Sequence, residues 1–141
     1  MKKMHHDAEL IKEFRDQLKQ IFEKSGHGVY LYLDDVHKTC NKKFAEILGY
    51  KTAAEWEKLD YLFLRKFVDD KSQKDLVHAY KKAVHKFEAS KLNVTWNTKT
   101  NKKVKTEVVM VPLEFKGHIL ALHFVEKVKE KNTSISTAFQ H

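Results

Sequence analysis

The sequence predicts a single α+β domain in which a mostly helical part precedes a meander of three strands. Apolar residues recur at three- and four-residue spacing in much of the first 88 residues, which is the period of a helix. Two short segments, residues 29–33 and 37–40, have strand character instead. From residue 92 onward apolar and polar residues alternate, as in strands with one solvated face. A chain of 141 residues is long enough for one compact core.

The bulk composition is ordinary for a soluble protein, with 42% hydrophobic and 33% charged residues. No apolar run approaches the roughly 20 residues that span a bilayer. Charged and polar residues follow the basic start, where a signal peptide would need an apolar core. The single cysteine, Cys40, excludes an internal disulfide and agrees with a reducing compartment. These features predict a cytoplasmic protein.

The first predicted element is an amphipathic helix over about residues 6–24. Ser25-Gly26-His27-Gly28 ends it. A stripe as wide as the one on this helix has to be buried, either on the protein's own sheet or against a second copy of the chain. The heptad-like seam of the stripe gives the candidate residues for a homodimer: Ile11, Phe14, Leu18 and Ile21, with Leu10 and Phe22 widening it.

The segment that begins at Asn41 carries the signals for the start and the end of a short helix. The Asn41 side chain is able to cap the helix by accepting hydrogen bonds from backbone N–H groups of the first turn. Phe44, Ile47 and Leu48 then share one helical face. Gly49 follows at the point where a left-handed residue ends the helix.

The remaining elements follow the same two periods. The predicted strands are residues 29–33, 37–40, 92–96, 104–113 and 118–125, and the predicted helices after residue 24 are residues 41–48, 53–59, 62–67 and 72–88. Asp34-Asp35 suit the turn between the first two strands. Asn101 lies in a polar turn and is able to adopt a positive φ. We expect the fourth strand to end near Pro112.

Several motifs resemble the PAS family, the sensory modules of signalling proteins. Asn-x-x-Phe-x-x-x-x-Gly-Tyr at residues 41–50, after an apolar strand, resembles the start of a PAS domain. Phe-Val-Asp-Asp-Lys-Ser at residues 67–72 resembles the entry into the family's long helix, although the family's proline is absent. Residues 98–102 stand where the PAS family often has a Lys-Asp-Gly turn. Residues 111–113 and Gly117 resemble the end of the fourth strand and the turn to the fifth.

The resemblance covers about residues 28–125 and implies a PAS-like five-stranded antiparallel sheet with helices on one face. With the N-terminal helix it predicts three parts: residues 1–26 as a sheet cap or dimer seam, residues 27–127 as the PAS-like domain, and residues 128–141 as a flexible tail. Where the family often carries Asp-Ile-Thr before an output helix, this chain has Lys127-Val128-Lys129. We therefore expect a stand-alone sensory and signal-transduction module, without an output domain, that acts as a homodimer or through an unidentified signalling protein.

The first functional hypothesis is that a small, mostly apolar ligand binds between the helices and the sheet. The candidate lining residues, which are also ordinary core positions, are Tyr32, Phe44, Leu48, Trp56, Phe63, Tyr80, Val84, Trp96, Met110 and His123. His123 lies on a strand with two apolar faces, which predicts a central strand covered on both sides. A buried histidine there needs a hydrogen-bond partner, either in a ligand or in the protein core.

The sequence does not favour the cofactors of flavin or haem PAS domains. The flavin type carries a Gly-x-Asn-Cys-Arg-Phe-Leu-Gln-like helix, which is absent, and Cys40 lies in a different element. The haem type uses a histidine on the long helix, but that position falls nearer Lys74 than His78 or His85. We expect Cys40 to be a packed structural residue, with a redox or ligand-contact role as the alternative.

Neither a metal centre nor catalysis is predicted. His118 and His123 are five residues apart on one strand and so face opposite sides. No zinc-type spacing of cysteine, histidine and carboxylate residues occurs. No Ser-His-Asp order, Gly-rich phosphate loop or paired-carboxylate motif indicates an enzyme.

The sequence leaves two alternatives to ligand sensing. A pure protein–protein interaction or dimerisation module would have a core filled by its own side chains and an exposed apolar patch. A nucleic-acid binder would use the net charge of +8 through a lysine-rich hairpin: Lys91, Lys99, Lys102, Lys103 and Lys105. No nucleic-acid-binding motif accompanies the charge, and Trp96 is the only aromatic residue near these lysines. The sequence therefore does not favour nucleic acid as a partner.

Overall fold

The structure, a computed structural model, describes residues 2–128 and the side chains of residues 7–128. Its helices are α1 (Lys2–Gln17), α2 (Lys19–Lys24), α3 (Lys42–Ile47), α4 (Ala53–Glu57), α5 (Phe63–Phe67) and α6 (Asp70–Lys86). Its strands are β1 (Gly28–Tyr32), β2 (Lys38–Cys40), β3 (Ser90–Asn97), β4 (Lys103–Phe115) and β5 (His118–Lys127). The predicted order of helices and strands is confirmed. The predicted tail, residues 128–141, lies outside the described residues apart from Val128.

The strands form one five-stranded sheet in the order β2-β1-β5-β4-β3. Each neighbouring pair is antiparallel, which confirms the predicted sheet. Helices α3 to α6 pack on one face, which we call the inner face, and α1 and α2 pack on the outer face. On the central strand β5, Ala121 and Val125 belong to the inner core while Leu120 and Leu122 belong to the outer core.

The outer core is small and is formed by the N-terminal helices. Phe14 is fully buried, with 0% exposure, and its ring contacts the edges of the Phe22 and Phe115 rings. Ile11 and Leu18 pack at the margin of the same core, whereas Ile21 remains 42% exposed. Of the predicted seam residues, Phe14 is therefore buried inside the chain, whereas Ile21 faces solvent and is accessible to a second copy.

The N-terminal segment is two helices rather than the predicted single helix. Leu18 leaves the helical conformation, with φ −104° and ψ 22°, and separates α1 from α2. In an unbroken helix, residues eight apart point about 80° apart around the axis. Phe14 and Phe22 have this spacing, yet their rings lie 6.4 Å apart over the same sheet face. The break at Leu18 permits both rings to reach the outer core.

Asn41 caps α3 as predicted, and its side chain also connects three elements. The side-chain oxygen accepts hydrogen bonds from the backbone N–H groups of Phe44 in α3 and Val29 in β1, both at 2.9 Å. The side-chain nitrogen donates to the carbonyl oxygens of Phe22 and His27, both at 3.1 Å. One buried amide therefore fixes the end of α2 and the start of β1 against α3.

Two element boundaries differ from the prediction for local reasons. Strand β4 continues through Pro112 to Phe115, whereas its pairing with β3 ends at Met110. Pro112 therefore has a neighbouring strand on one side only, where a missing N–H is tolerated. Helix α6 starts at Asp70 because the Asp69 side chain accepts a hydrogen bond from Lys71 N at 3.2 Å and caps the first turn.

The helices are short or amphipathic. On α6, the longest of them, Leu76, Ala79 and Ala83 are buried against the sheet. Within the described part of the chain, no helix combines the length and the apolar composition needed to cross a membrane.

Candidate functional site

A cavity of about 300 Å³ lies between α5, α6 and the inner face of the sheet, and we call it the α6 cavity. Its volume is at the lower end of the range for small-molecule sites. The lining is mainly apolar and aromatic: Tyr32, Phe63, Leu64, Leu76, Val77, Tyr80, Lys81, Val84, His85 and His123. This is the composition expected of a site for a small organic molecule.

The structure divides the predicted pocket residues into two groups. Tyr32, Phe63, Tyr80, Val84 and His123 line the α6 cavity. The others are fully buried in the inner core and do not line it: Phe44, Leu48, Trp56, Trp96 and Met110. The rings of Trp56 and Trp96 pack edge-to-face against those of Tyr30 and Phe44, with centroids 5.1–6.1 Å apart. This aromatic packing fills the part of the core beneath α3 and α4.

Sequence reasoning missed part of the cavity wall: Leu64, Leu76, Val77, Lys81 and His85. The signal for most of these residues was present in the helical period. Residues 76, 77, 80, 81, 84 and 85 recur at four-residue spacing and therefore share one face of α6. The prediction that Tyr80 and Val84 line the pocket therefore extends to the residues one turn away on the same face of α6.

His123 is the polar residue at the back of the cavity. It is 1% exposed and lies on β5 between Met110 of β4 and Tyr30 of β1. Burial is the main cause that lowers the pKa of its imidazole to about 3, and nearby backbone groups of Tyr30 and Ala121 partly oppose this shift. The side chain is therefore neutral near pH 7. Its Nδ1 has no hydrogen-bond partner among the described residues.

His123 is part of a row that crosses all five strands on the inner face. The register places Ser90, Met110, His123, Tyr30 and Cys40 side by side, one from each of β3, β4, β5, β1 and β2. Within the described structure, Ser90 Oγ and the Tyr30 hydroxyl, like His123 Nδ1, are buried without a hydrogen-bond partner. Such atoms are uncommon in native cores because each costs free energy. Of the residues in this row, His123 lines the α6 cavity.

Hydrogen bonds from the β1–β2 hairpin hold the aromatic wall of the cavity. Asp35 Oδ1 accepts from the Tyr32 hydroxyl at 3.0 Å and from Phe63 N at 2.9 Å. The Tyr80 hydroxyl donates to the Tyr32 carbonyl oxygen at 3.3 Å. Burial raises the pKa of the Tyr32 and Tyr80 hydroxyls, so both stay protonated near pH 7. The rings of Tyr32, Phe63 and Tyr80 are thus positioned by strand, hairpin and helix together.

Cys40 and the histidines of the long helix occupy different environments. Cys40 is fully buried on β2, and burial raises the pKa of its thiol, which disfavours the reactive thiolate. His78 is exposed on α6 and does not line the α6 cavity, whereas His85 is exposed and does line it. His123 is the buried histidine of the site.

One group among the described residues has the spacing of a metal site. Potential ligand atoms of Asp7, Asp34 and His37 lie within 4.8 Å of one another. In the structure Asp34 already accepts a hydrogen bond from His37 Nδ1 at 2.9 Å, and its backbone neighbours Val36 and His37 donate to it as well. These bonds account for the hairpin geometry without an ion.

The lysines of the β3–β4 hairpin are largely paired with acidic residues. Lys99 Nζ lies 2.6 Å from Glu55 Oε2, Lys103 Nζ lies 2.9 Å from Asp69 Oδ1, and Lys91 Nζ lies 3.6 Å from Glu107 Oε2. These pairs reduce the positive potential that a nucleic-acid backbone would meet.

Comparison with known proteins identifies the fold. No protein-family model and no curated protein matches the sequence. Among solved structures, the PAS domain of a protein from Colwellia psychrerythraea has a TM-score of 0.63 at 12% identity, covering 82% of this chain and 97% of that one. The PAS domain of an HTR-like protein from Haloarcula marismortui has a TM-score of 0.56 at 19% identity, covering 84% and 94%.

A third solved structure contains a small molecule. It is the PAS domain, in complex with ethanol, of a LuxR-family transcriptional regulator from Burkholderia thailandensis. Its TM-score is 0.59 at 13% identity, with 79% of this chain and 97% of that chain covered. Identities this low establish the fold alone. The chain has the PAS fold, as its sequence motifs predicted.

Proposed function

We propose that this chain is a sensory module that binds a small ligand in the α6 cavity. The observation that carries the proposal is His123, a fully buried and neutral histidine at the cavity wall whose Nδ1 has no hydrogen-bond partner in the described structure. An unsatisfied buried polar atom costs roughly 1–3 kcal/mol. A ligand that hydrogen-bonds to the imidazole would recover this free energy and bury apolar wall residues as well.

The PAS fold supports a sensory role over an enzymatic one. Solved structures with this fold include a PAS domain from a two-component sensor histidine kinase and the ethanol-bound domain of a transcriptional regulator. Both parent proteins are signalling proteins by description, and one of the two domains holds a small organic molecule. In this chain, residues 27–127 would form the sensor, and α1 and α2 would cover its outer sheet face.

Ligand binding is tested with a variant that fills the cavity. Val84→Phe adds a ring at the wall of the α6 cavity, and Val109→Phe places the same ring on the outer sheet face, where Val109 is 38% exposed. Native mass spectrometry and the absorption spectrum of protein purified from cells would detect a retained ligand, and thermal shifts against a metabolite library would detect a lost one. We expect binding by the wild type and Val109→Phe but not by Val84→Phe. A bare mass and spectrum together with no thermal shift would count against the proposal.

We further propose that the module works as a homodimer through its N-terminal helices. Ile21 on α2 is 42% exposed, and Ile11 and Leu18 are partly buried, so these three residues offer apolar surface to a second copy. Phe14→Asp would unfold the chain because Phe14 is buried, whereas Ile21→Asp leaves the outer core intact. Light scattering should show a dimer that Ile21→Asp dissociates and Gln20→Asp, at an exposed neighbour, does not. A monomeric wild type would refute this arrangement.

A further inference from the structure

Basic residues follow one side of α6, and we call them the α6 basic stripe. Residues 71–86 contain five lysines and one acid, Asp75. The stripe consists of Lys71, Lys74, Lys81, Lys82 and Lys86 with His78 and His85. These positions recur at three- and four-residue spacing, so they share one side of the helix over about 22 Å. All of the stripe is exposed except Lys82, which is partly buried.

The stripe lysines differ from several other exposed lysines because their charge is not paired. Lys42 Nζ lies 3.9 Å from Glu46 Oε2, and Lys91 Nζ lies 3.6 Å from Glu107 Oε2. Among residues 7–128, by contrast, no stripe lysine forms a salt bridge, and Asp75 pairs with none of them. The exposed side of α6 therefore presents positive charge that no carboxylate in the described part of the chain neutralises by contact.

Helix α5 continues the positive surface beyond the start of α6. Gln73 Nε2 donates to the carbonyl oxygens of Leu64 and Val68 at 3.1 and 3.0 Å, which holds α5 beside the first turn of α6. Within α5, Arg65 is exposed, Lys66 is partly buried, and the helix contains no acid. The stripe and α5 together form one surface in which basic side chains greatly outnumber acidic ones.

Two exposed apolar side chains adjoin this positive surface. Tyr61 and Leu62 immediately precede α5, and they are 47% and 55% exposed. Lys66 Nζ lies 4.9 Å from the centroid of the Tyr61 ring, so a cation and an aromatic ring are in contact. Tyrosine and leucine beside basic residues are typical of protein surfaces that lie at the boundary between lipid headgroups and acyl chains.

The residue types on this surface distinguish between three kinds of anionic partner. Lysine is depleted at protein–protein interfaces, whereas arginine is enriched there because its planar guanidinium pairs with carboxylates in a fixed geometry. Base recognition in nucleic acids also relies on bidentate side chains such as arginine, asparagine and glutamine, and the stripe contains none of these. An anionic bilayer attracts flexible lysines without requiring a fixed geometry, and clusters of about four to eight basic residues are typical of such surfaces. A bilayer is therefore the partner that these residues fit best.

We propose that α5, the α6 basic stripe, Tyr61 and Leu62 form a docking surface for an anionic lipid bilayer. The lysines meet the headgroups, and Tyr61 and Leu62 enter the boundary beneath them. With the histidines neutral, the seven lysines and arginines of α5 and α6 less the two acids, Asp70 and Asp75, leave a net charge of +5. Each lysine that reaches an anionic bilayer strengthens binding roughly fivefold. This docking surface does not depend on a ligand in the α6 cavity.

Co-sedimentation of the full chain with vesicles separates the position of the charge from net charge alone. The vesicles contain phosphatidylcholine, either alone or with about 30% phosphatidylglycerol as the anionic lipid. The stripe variant replaces three exposed lysines that lie outside the α6 cavity: Lys71→Gln, Lys74→Gln and Lys86→Gln. The matched control removes the same charge from three exposed lysines that are paired with acids on other elements: Lys42→Gln, Lys91→Gln and Lys116→Gln.

We expect the wild type and the control variant to bind the anionic vesicles with affinities within about threefold of each other, and the stripe variant to bind at least about tenfold more weakly. Phosphatidylcholine alone should bind the wild type at least about tenfold more weakly than the anionic vesicles. Raising the salt from about 0.1 M to 0.5 M should remove most of the binding, because salt screens exposed charges. Leu62→Ser should weaken binding about two- to fivefold, whereas Val109→Ser, on the outer sheet face, should not.

Three results would overturn the bilayer as partner: no binding of the wild type to anionic vesicles, equal losses in the stripe and control variants, or equal binding with and without phosphatidylglycerol. Duplex DNA and polyglutamate are assayed with the same variants. If either one binds through the stripe while the vesicles do not bind, the surface serves another polyanion and the proposal is wrong. Undiminished binding of Leu62→Ser would refute the part assigned to the apolar side chains.

Discussion

The neutral, buried state of His123 predicts that this one side chain makes the free energy of unfolding depend on pH. The imidazole has a pKa of about 3 in the folded chain, against 6.5 for an ordinary histidine. Between these values the unfolded chain binds a proton that the folded chain cannot hold. The free energy of unfolding therefore falls as the pH decreases below about 6.5. The cause is the loss of hydration when the charged imidazole is enclosed by the inner core.

The magnitude follows from the distance between the pH and the unfolded pKa. A pH of 5 is about 1.5 units below the pKa of the histidine in the unfolded chain, and each unit corresponds to about 1.36 kcal/mol. His123 should therefore lower the free energy of unfolding by about 2 kcal/mol between pH 7 and pH 5. Residues other than His123 add their own pH dependence, so a comparison with a variant is required.

The assay is urea unfolding at pH 7 and pH 5 for the wild type and His123→Leu. Leucine does not titrate, and any change in packing that it causes is present at both pH values and cancels in the difference. We expect the variant to lose about 2 kcal/mol less than the wild type on acidification. His78→Leu, at an exposed site of α6, should retain the wild-type dependence. A difference between wild type and His123→Leu below about 0.5 kcal/mol would refute the burial argument.

Two further predictions concern Asn41 and the lysine-rich hairpin. Asn41→Ala removes four side-chain hydrogen bonds from a residue that is 5% exposed, so we expect a loss of about 2–4 kcal/mol in urea unfolding. Thr52→Ala removes one exposed capping hydrogen bond, donated by Glu55 N, and should lower the free energy of unfolding by only about 1 kcal/mol. Equal losses in the two variants would contradict the role of Asn41 in connecting α2, β1 and α3. Because hairpin lysines pair with acidic residues, gel shifts should show only salt-sensitive, sequence-independent nucleic-acid binding, with a Kd of about 10⁻⁴–10⁻⁶ M. A tighter and sequence-selective complex would instead favour nucleic-acid binding as the function.

The local features of the fold could be predicted because each depends on residues near one another in the chain. Asn41 caps α3, Gly49 has φ +88° after it, and Asn101 has φ +64° in the β3–β4 turn, all as expected from residue type. The change from helical to alternating periods gave the correct order of elements. The split at Leu18 and the continuation of β4 through Pro112 could not be predicted, because both depend on the sheet that these segments meet.

The amino-acid sequence alone determined the α+β class, the resemblance to PAS domains and the choice of His123 as the polar residue of a central strand. Only the tertiary structure decided which aromatic residues pack in the core and which line the cavity. Phe44, Trp56 and Trp96 have the same character as Phe63 and Tyr80 in sequence, yet the first three fill the core and the last two line a cavity. The physical reason is that close packing depends on ring orientations and strand register between distant segments. The same register aligns Tyr30 with His123, a juxtaposition that residue spacing along the chain does not contain.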